Sequence, residues 1–316
     1  MDPKPTPDSP LRIGTRGSAL ALAQAHETRD RLAAAHGLPE TVFEIVVIRT
    51  TGDRITDRPL KELGGKGLFT REIEQALSDG GIDLAVHSMK DMPVLQPDGL
   101  IIDCILPRED PRDALVSDRH ESLAAMPAGS ILGSSSLRRR AQVAYRRPDL
   151  QLVEFRGNVQ TRLQKLADRV ADATFLAMAG LRRLGLEHVT RGPVPVEMML
   201  PAVAQGAIGI ERRMSDERMA TMLAAIDHAP SSLRVQAERA YLARLDGSCE
   251  TPIAGLCEIE VDGSLWLRGE ILRPDGSDAV TGERRGVASD AAAMGDDLAR
   301  ELLTRAGPGF MDMSEG

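Results

Sequence analysis

Short apolar strands alternate with helical patterns from Leu11 to about Leu186, and this alternation limits the possible folds more than any other feature. The strand LRIGT precedes a helix that we expect to begin near Ser18 and to stop at Gly37. The same order of strand, turn and helix recurs in SILGSSSLRRRAQ, LQLVEFRGNVQTRLQKL and ATFLAMAGLRRLGL. Because strands linked through helices usually pair in parallel, the pattern predicts α/β domains with mainly parallel sheets.

The pattern changes after Pro201. Helical periodicity is found in VAQGAIGIERR, SDERMATMLAAI and SSLRVQAERAYLARL. Two apolar segments, IAGLCEIEVDG and SLWLRGEILRPDGS, then predict a β-hairpin with its turn at Asp262 and Gly263. A last helical segment, ASDAAAMGDDLARELLTRAG, follows. We therefore expect a smaller C-terminal α+β domain.

The composition excludes several functional classes. The chain of 316 residues is long enough for two or three domains, and its net charge of −8 argues against general nucleic-acid binding. No apolar run approaches the roughly 18 residues of a membrane-spanning helix, so we expect no membrane association. Residues 1–10 are polar and proline-rich, which predicts a disordered N-terminal tail. That tail lacks the apolar centre of a secretory signal, and the cytoplasm is the expected location.

The three cysteines form neither a disulfide framework nor a metal-ligand pattern. Cys104 and Cys257 lie in apolar segments and are expected to be buried in strands, whereas Cys249 lies in the turn-forming segment DGSCETPIAG. A thiol displayed there could act as a nucleophile or as a covalent anchor. The six histidines show no ligand spacing, and none is an evident partner for a catalytic cysteine. Metal catalysis and cysteine-dependent hydrolysis are therefore not favoured.

The segment GSSSLRRR follows a strand and opens a helix. Its hydroxyls (Ser134, Ser135 and Ser136), its free backbone N–H groups and the guanidiniums of Arg138 and Arg139 together favour a carboxylate or a phosphate. The alternative is that Ser136 only caps the helix and that both arginines are solvated.

Two further strand ends carry arginine beside a small residue. These are Arg156 and Gly157 in FRGNVQTR, with Arg162 six residues after Arg156, and Arg16 and Ser18 in TRGS. Because α/β sheets bind ligands outside the carboxyl ends of their strands, the set predicts a small polyanionic ligand. Unrelated surface arginines are the alternative. The chain contains no GxGxxG and no GxxxxGK[ST], so a dinucleotide or a nucleoside triphosphate is not favoured.

Two other segments hold candidate site residues. Lys66 lies in the glycine-rich stretch GGKGLFTRE, which is either a mobile lid or an ordinary loop with a solvated lysine. Lys90 and Asp91 end a buried strand in HSMKDMP, where they form either an acid/base pair or a structural ion pair. We interpret His87 as a structural residue of the strand.

The order of these motifs resembles the porphobilinogen deaminase family. The resemblance runs from Leu11 to about Gly307 and rests on LRIGTRGSALALAQA, GGKGLFTREIEQAL, DLAVHSMKDMP, REDPRDALVS, GSSSLRRRAQ, FRGNVQTRL, LPAVAQGAIGIE and AERAYLARLDGSCETPIAG. Each motif alone is weak, whereas the ordered set is highly specific.

The resemblance implies a fold of two α/β domains, similar to two-lobed periplasmic binding proteins, plus a smaller C-terminal α+β domain. Domain 1 would be discontinuous. The implied boundaries are residues 11–106 and 201–226 for domain 1, residues 107–200 for domain 2 and residues 227–316 for domain 3.

The resemblance also implies an activity. Members of this family attach a dipyrromethane cofactor through a thioether to the cysteine that corresponds to Cys249. Four porphobilinogen units are then added, each with loss of ammonia, and hydrolysis frees the linear tetrapyrrole hydroxymethylbilane for haem and related pigments. The expected partners are therefore porphobilinogen and the growing oligopyrrole chain, with no nucleic acid, membrane or metal, and the protein is expected to be a monomer.

The same resemblance assigns roles to individual residues. Asp91 matches the catalytic carboxylate, which would stabilise the positive charge that develops when the aminomethyl group loses ammonia. The side chains that match positions binding the carboxylates of cofactor and substrate are those of Arg16, Ser18, Gln24, Lys66, Ser88, Lys90, Ser134, Ser135, Ser136, Arg138, Arg139, Arg156, Arg162 and Gln205.

The sequence departs from the usual family pattern at Gly17, Glu62, Ser134 and Ser248, which affects the expected local affinity rather than the reaction. Two other functions share some of these features. A two-lobed small-anion-binding protein would also carry arginines at strand ends, but it would not explain Cys249 or Asp91. A transferase that uses Cys249 as a transient nucleophile would not retain a covalent cofactor.

Overall fold

The computed structural model describes residues 5–54, 70–247 and 251–312. Four positions considered above, Glu62, Lys66, Ser248 and Cys249, lie outside the described residues.

The chain divides into two compact units. Unit 1 consists of Met1–Arg108 and Ala207–Ser232, and unit 2 consists of Glu109–Gly206 and Leu233–Gly316.

The strands of the described residues are β1 (Leu11–Thr15), β2 (Phe43–Val47), β3 (Leu84–Ser88), β4 (Leu100–Ile105), β5 (Asp113–Val116), β6 (Ile131–Gly133), β7 (Gln151–Val153), β8 (Ala173–Ala177), β9 (Ile208–Arg213), β10 (Ile253–Ile259), β11 (Leu265–Leu272) and β12 (Ala279–Gly286). The α-helices are α1 (Ala19–His36), α2 (Thr51–Arg54), α3 (Arg71–Ser78), α4 (Leu137–Arg146), α5 (Val159–Ala167), α6 (Met178–Arg183), α7 (Glu217–Ala224), α8 (Ala229–Arg244) and α9 (Ala291–Ala306).

Unit 1 is built on a sheet with the strand order β2-β1-β3-β9-β4. Strand β1 pairs in parallel with β2 and β3, while β9 pairs antiparallel with β3 and β4. The prediction of a mainly parallel sheet is therefore wrong for this unit, because half of its strand pairs are antiparallel. The predicted helix after β1 is confirmed as α1, which begins after the N-cap Ser18 and ends before Gly37, where φ is 62°.

The helix predicted over VAQGAIGIERR is wrong, since residues 208–213 form β9. The strand lies between two neighbours and is buried on both faces, with Ile208, Ile210 and Glu211 each at 0% exposure. Burial on both faces removes the alternation of apolar and polar residues that usually identifies a strand. The short apolar run therefore gave no periodicity that separates a strand from a helix.

The first sheet of unit 2 has the order β5-β8-β6-β7, in which β6 is parallel to β7 and β8, and β5 is antiparallel to β8. The predicted succession of strand, turn and helix is confirmed for β6 and α4 and for β7 and α5. Gly133 ends β6 against an aromatic ring, because a Cβ atom there would lie 2.4 Å from Cδ2 of Phe155. This close approach keeps the end of β6 next to the segment that carries Arg156.

The second sheet of unit 2 is antiparallel, with the order β10-β11-β12. The predicted hairpin is confirmed, and its turn contains Gly263 with φ of 84°. Strand β12 was not predicted, because its alternating polar residues leave it without an apolar run. The predictions for Cys257 and Cys104 are also confirmed, since both thiols are buried in strands.

Buried carboxylates connect the elements of unit 2. Glu238 of α8 accepts a hydrogen bond from the backbone N–H of Ala204 at 2.6 Å and another from that of Cys257 at 2.7 Å. Arg146 of α4 pairs with the buried Glu270 of β11 at 2.6 Å. The predicted fold class, two α/β domains plus a smaller C-terminal α+β domain, is confirmed, while the three sets of domain boundaries stay predictions.

Among the described residues, no helix combines the length and the hydropathy needed to cross a bilayer. Residues 5–10 of the predicted disordered tail contain a turn in which Thr6 and Ser9 exchange backbone hydrogen bonds of 3.0 and 3.1 Å. Disorder of the tail stays a prediction.

Candidate active site

A small cavity in unit 1 brings together five of the predicted site residues. It has a volume of about 70 Å³ and lies at the carboxyl ends of the neighbouring parallel strands β1 and β3. The predicted site residues that line it are Arg16, Ser18, Gln24, Ser88 and Asp91. The expectation that strand ends place these side chains close together is therefore met within unit 1.

Two of these side chains hold each other in place. The amide nitrogen of Gln24 donates to Ser88 Oγ at 2.8 Å, and the Ser88 hydroxyl donates to the amide oxygen at 3.0 Å. Ser18 accepts from the N–H of Ala21 at 3.2 Å and so caps α1. The polar groups along this wall of the cavity are consequently fixed before any ligand binds.

Asp91 ends a 3₁₀ turn, Met89–Asp91, that follows β3 directly. The turn is anchored because Met89 is buried and its N–H donates to the carbonyl of Ala207 at 3.0 Å. Asp91 itself is half-buried and lines the cavity, whereas Lys90 is half-buried in the same turn and does not line it. The backbone thus fixes the position of a carboxylate at the end of a buried strand.

His87 lies just before this turn and contacts the cavity from the strand. Its Nε2 lies 2.9 Å from Oε2 of Glu211, and both residues are buried. Burial raises the pKa of the nearby Glu74, and the charge of Glu211 adds to that effect. The interpretation of His87 as a structural residue agrees with its pairing to Glu211.

The three serines after β6 are used within unit 2. Ser136 accepts a long hydrogen bond of 3.5 Å from the N–H of Arg139 and caps α4, and Ser135 accepts from the N–H of Phe155 at 3.0 Å. Ser134 Oγ accepts from the N–H of Ser136 at 3.3 Å. The hydroxyls therefore fix the shape of the loop that opens α4.

Arg138 and Arg139 are both buried, so the alternative of solvated arginines is wrong. Nη2 of Arg138 donates to Oδ2 of Asp113 at 2.8 Å, and Nη2 of Arg139 donates to Oδ1 of the same carboxylate at 2.7 Å. Their Nη1 atoms donate to the carbonyls of Leu200 at 2.7 Å and Phe175 at 2.9 Å. Two guanidiniums thus share one buried carboxylate.

The electrostatics of this cluster favour the charged form of Asp113. Burial would raise the pKa of Asp113, but the two guanidiniums outweigh that effect and hold the pKa well below its ordinary value. Burial lowers the pKa of Arg138, and the charge of Arg139 lowers it further. The Nε atoms of both arginines are buried and have no hydrogen-bond partner among the described residues. The cluster therefore carries more positive than negative charge and retains unused donors.

Arg162 and Arg156 extend this positive region. Burial, together with the charges of Arg139 and Arg156, lowers the pKa of Arg162 to about 10, and the charge of Glu154 only partly opposes this shift. Nε of Arg162 donates to the carbonyl of Gly157 at 2.9 Å. Electrostatic coupling to Arg139 shows that the ends of β6 and β7 contribute to one cationic region of unit 2.

Gln205 is buried beside the same cluster. Its Nε2 donates to the carbonyl of Pro111 at 2.7 Å and to Oδ1 of Asp113 at 2.9 Å. In the structure Gln205 therefore supports Asp113, although its predicted role is to bind a ligand. Ala204, the preceding residue, has the uncommon φ of 58°. Such backbone strain is typical of functional segments.

Asp113 was not among the predicted site residues. The sequence contained one signal for it, because it is the charged first residue of the otherwise apolar strand segment DALV within REDPRDALVS. A buried carboxylate needs a cationic partner, but the sequence does not show that the partners lie on α4.

The cationic strand ends of unit 2 fit a ligand with several carboxylates. Unused buried N–H donors and an excess of positive charge are suited to such anions and poorly suited to a neutral ligand. No cluster of side chains that could hold a metal ion occurs among the described residues. Lys66 and Cys249 lie outside those residues, so their roles stay predictions.

The fold and the cationic sites together define a class of protein. Its members are α/β proteins whose strand ends are suited to small polyanions and which carry an additional α+β domain. The family model described as "Porphobilinogen deaminase, dipyromethane cofactor binding domain" matches residues 11–221, and the model of the porphobilinogen deaminase C-terminal domain matches residues 232–304. The chain therefore belongs to the porphobilinogen deaminase family, and the resemblance noted in the sequence is confirmed.

Similar proteins agree with this assignment. Porphobilinogen deaminase from Paracoccus denitrificans (strain Pd 1222) is 68% identical over 314 residues, covering 99% of this chain and 100% of that protein. The chloroplastic porphobilinogen deaminase of Pisum sativum is 52% identical over 307 residues, covering 96% and 83%. A periplasmic substrate-binding protein of an ABC transporter from Coxiella burnetii has a TM-score of 0.40 at 15% identity, covering 72% of this chain and 96% of that one. At that TM-score the structural likeness supports no conclusion about function.

Proposed function

We propose that the chain is the transferase that assembles hydroxymethylbilane from four porphobilinogen molecules in tetrapyrrole biosynthesis. In each condensation a C–C bond forms between the aminomethyl carbon of the incoming unit and the free α-carbon of the terminal pyrrole. The C–N bond breaks, nitrogen leaves as ammonia, and the proton displaced from the α-carbon balances the charge. Water then releases the finished tetrapyrrole.

One observation carries this proposal, namely the buried pair of guanidiniums that shares a single carboxylate. Each pyrrole of the substrate carries an acetate and a propionate, so the growing chain accumulates negative charge. The excess positive charge around Arg138 and Arg139 and their unused Nε donors match that chemistry. Arg156 and Arg162 add two further guanidiniums in the same unit.

The dipyrromethane cofactor fits the same donors, because it carries the same carboxylate substituents as the substrate. When bound, it supplies the primer to which the first substrate unit is joined. We assign its thioether attachment to Cys249, which lies between the end of α8 and the beginning of β10 in sequence. In this proposal the arginines of unit 2 bind and orient the carboxylates of cofactor and chain.

Asp91 is assigned the catalytic role. Loss of ammonia leaves a cation that is conjugated with the pyrrole nitrogen, and a carboxylate near the pyrrole N–H stabilises that charge. The anchored turn after β3 supports the assignment, because it fixes Asp91 against a cavity lined by Arg16, Ser18, Gln24 and Ser88. Those polar side chains, with Lys66 and Lys90, are assigned to the binding of substrate carboxylates.

The alternative of a small-anion-binding protein without catalysis is not favoured. Family models for both the cofactor-binding domain and the C-terminal domain match the chain, and a binding protein would need neither Cys249 nor Asp91.

We further propose that the protein works as a monomer in the cytoplasm, with domain boundaries as the sequence predicts. Cys104 and Cys257 are free thiols, which is typical of proteins in reducing compartments. Sedimentation of the purified protein measures the oligomeric state, and a stable dimer at micromolar concentration would contradict this part of the proposal.

The test of function is a turnover assay with porphobilinogen. The wild-type protein should release one ammonia for each porphobilinogen consumed and should yield a product with the mass of hydroxymethylbilane. A protein that binds porphobilinogen without consuming it would contradict the proposal and support the anion-binding alternative.

A further inference from the structure

Asp113 occupies a special position in unit 2. It is the first residue of β5, at 0% exposure, and three side chains donate hydrogen bonds to its two carboxylate oxygens. Arg138 binds Oδ2, while Arg139 and Gln205 bind Oδ1. The carboxylate therefore has a partner on each oxygen and faces both arginines at once.

The geometry fixes the orientation of both guanidiniums. Each is held at Nη2 by Asp113 and at Nη1 by a backbone carbonyl, that of Leu200 for Arg138 and that of Phe175 for Arg139. A planar group that is held at two of its three nitrogens cannot rotate freely. The third nitrogen, Nε, is thereby also fixed, and in both arginines it has no partner among the described residues.

The arrangement differs from an ordinary structural ion pair in the same unit. Arg147 binds Asp149 one to one, with Nε donating to Oδ1 at 2.8 Å and Nη2 donating to Oδ2 at 2.7 Å. That pair balances its charge and uses Nε. In the Asp113 cluster one carboxylate pairs with two guanidiniums, and Nε of each guanidinium has no hydrogen-bond partner among the described residues.

A buried positive charge without a counter-ion is unfavourable, so an excess of this kind favours a bound anion. We propose that Asp113 is a positioning residue: it holds Arg138 and Arg139 in the orientation that receives a carboxylate of the bound oligopyrrole, and it limits the excess positive charge there. This inference rests on the proposed function. Without Asp113, the two guanidiniums would repel each other and lose their common anchor.

Two substitutions disturb the position of the guanidiniums in different ways. Asp113→Asn removes the negative charge at constant size, and Asp113→Glu keeps the charge but lengthens the side chain by one methylene. We expect both variants to raise KM for porphobilinogen by about tenfold or more, the effect of one badly placed charge-assisted hydrogen bond. We expect kcat of the molecules that carry cofactor to change less, because Asp113 does not touch the reacting atoms.

A second readout does not depend on turnover. Intact-mass spectrometry measures the fraction of purified protein that carries the covalent dipyrromethane, and thermal unfolding measures stability. Asp172→Asn is the matched control, since Asp172 is a half-buried carboxylate of the same unit that binds Arg119 at 2.7 Å and the backbone N–H of Ile131 at 2.8 Å rather than a site arginine. It should lower the unfolding temperature and leave both cofactor occupancy and KM at the wild-type level.

The outcomes are distinct. Reduced occupancy and raised KM in the Asp113 variants, but not in Asp172→Asn, support the positioning role. Wild-type KM and occupancy in Asp113→Glu would overturn it, and so would a loss of occupancy in Asp172→Asn that matches its loss of stability. If Asp113→Asn does not fold, Asp113→Glu alone decides between these results. A wild-type protein that carries no dipyrromethane and consumes no porphobilinogen would instead refute the proposed function.

Discussion

The substitution Arg139→Met tests the cationic cluster most sharply. Methionine is an uncharged, unbranched side chain that fills part of the same space, so the change mainly removes the guanidinium. The lost contacts are the hydrogen bonds to the carbonyl of Phe175 at 2.9 Å and to Oδ1 of Asp113 at 2.7 Å. Asp113 still has Arg138 and Gln205 as partners, so no carboxylate is left isolated.

The expected magnitudes follow from these contacts. Since Asp113 stays paired, the free energy of unfolding should fall by about 1–3 kcal/mol, the range for one or two hydrogen bonds that involve a charged group. The excess positive charge of the cluster disappears, and with it a charge-assisted hydrogen bond to a substrate carboxylate. Loss of about 1.5–3 kcal/mol of binding corresponds to a rise in KM of roughly 10- to 150-fold.

The assay combines urea unfolding with KM and kcat for porphobilinogen, and Arg146→Met is the matched control. Arg146 pairs with the buried Glu270 at 2.6 Å. Its removal leaves that carboxylate without its cation and should cost about 3–5 kcal/mol of stability. KM should nevertheless stay near the wild-type value. Our reasoning is refuted if Arg139→Met keeps the wild-type KM, or if Arg146→Met raises KM by the same factor.

Three further predictions concern the catalytic carboxylate, the acid stability of the Asp113 cluster and a glycine with positive φ. Asp91→Asn should keep the fold and lower kcat by about 10²–10³, the usual effect of losing one electrostatic stabiliser, so near-normal turnover of porphobilinogen would remove Asp91 from its assigned role. Since the folded-state pKa of Asp113 lies below its unfolded value of about 3.9, its stabilising contribution is complete above about pH 4 and is lost as the pH falls further. Acid unfolding of Asp113→Asn should therefore depend less steeply on pH in that range, and an unchanged slope would contradict the pairing. Gly206→Ala should lose more than about 1 kcal/mol in urea unfolding, because φ is +88° and a Cβ atom would lie 2.4 Å from the carbonyl oxygen of Glu109; a stability equal to that of the wild type would contradict this geometry.

Much of the fold follows from local patterns. The strand and helix at β6 and at β7 were predictable because an apolar run, a turn and a helical repeat succeed one another in sequence. Strand β9 was not predictable, because burial on both faces hides its period, and its antiparallel partners β3 and β4 are distant in sequence. Strand β12 was missed for the opposite reason, since none of its residues is buried and its polar sequence resembles a loop.

The candidate site was predictable to the level of its strand ends. Arg16, Gln24, Ser88 and Asp91 do meet at one cavity of unit 1, as expected from parallel strands that end side by side. The sequence could not show how the site arginines of unit 2 are held. The contacts of Asp113 with Arg138 and Arg139 join positions 25 and 26 residues apart, and only the three-dimensional fold brings them together.

The central claim is that this chain carries a covalent oligopyrrole primer on Cys249, and intact-mass spectrometry tests it most directly. Wild-type protein purified from cells that make tetrapyrroles should exceed its sequence mass by the mass of two linked pyrroles, and Cys249→Ala should show the sequence mass alone. A wild-type protein at its bare sequence mass, or a Cys249→Ala variant that keeps the added mass, would contradict the account.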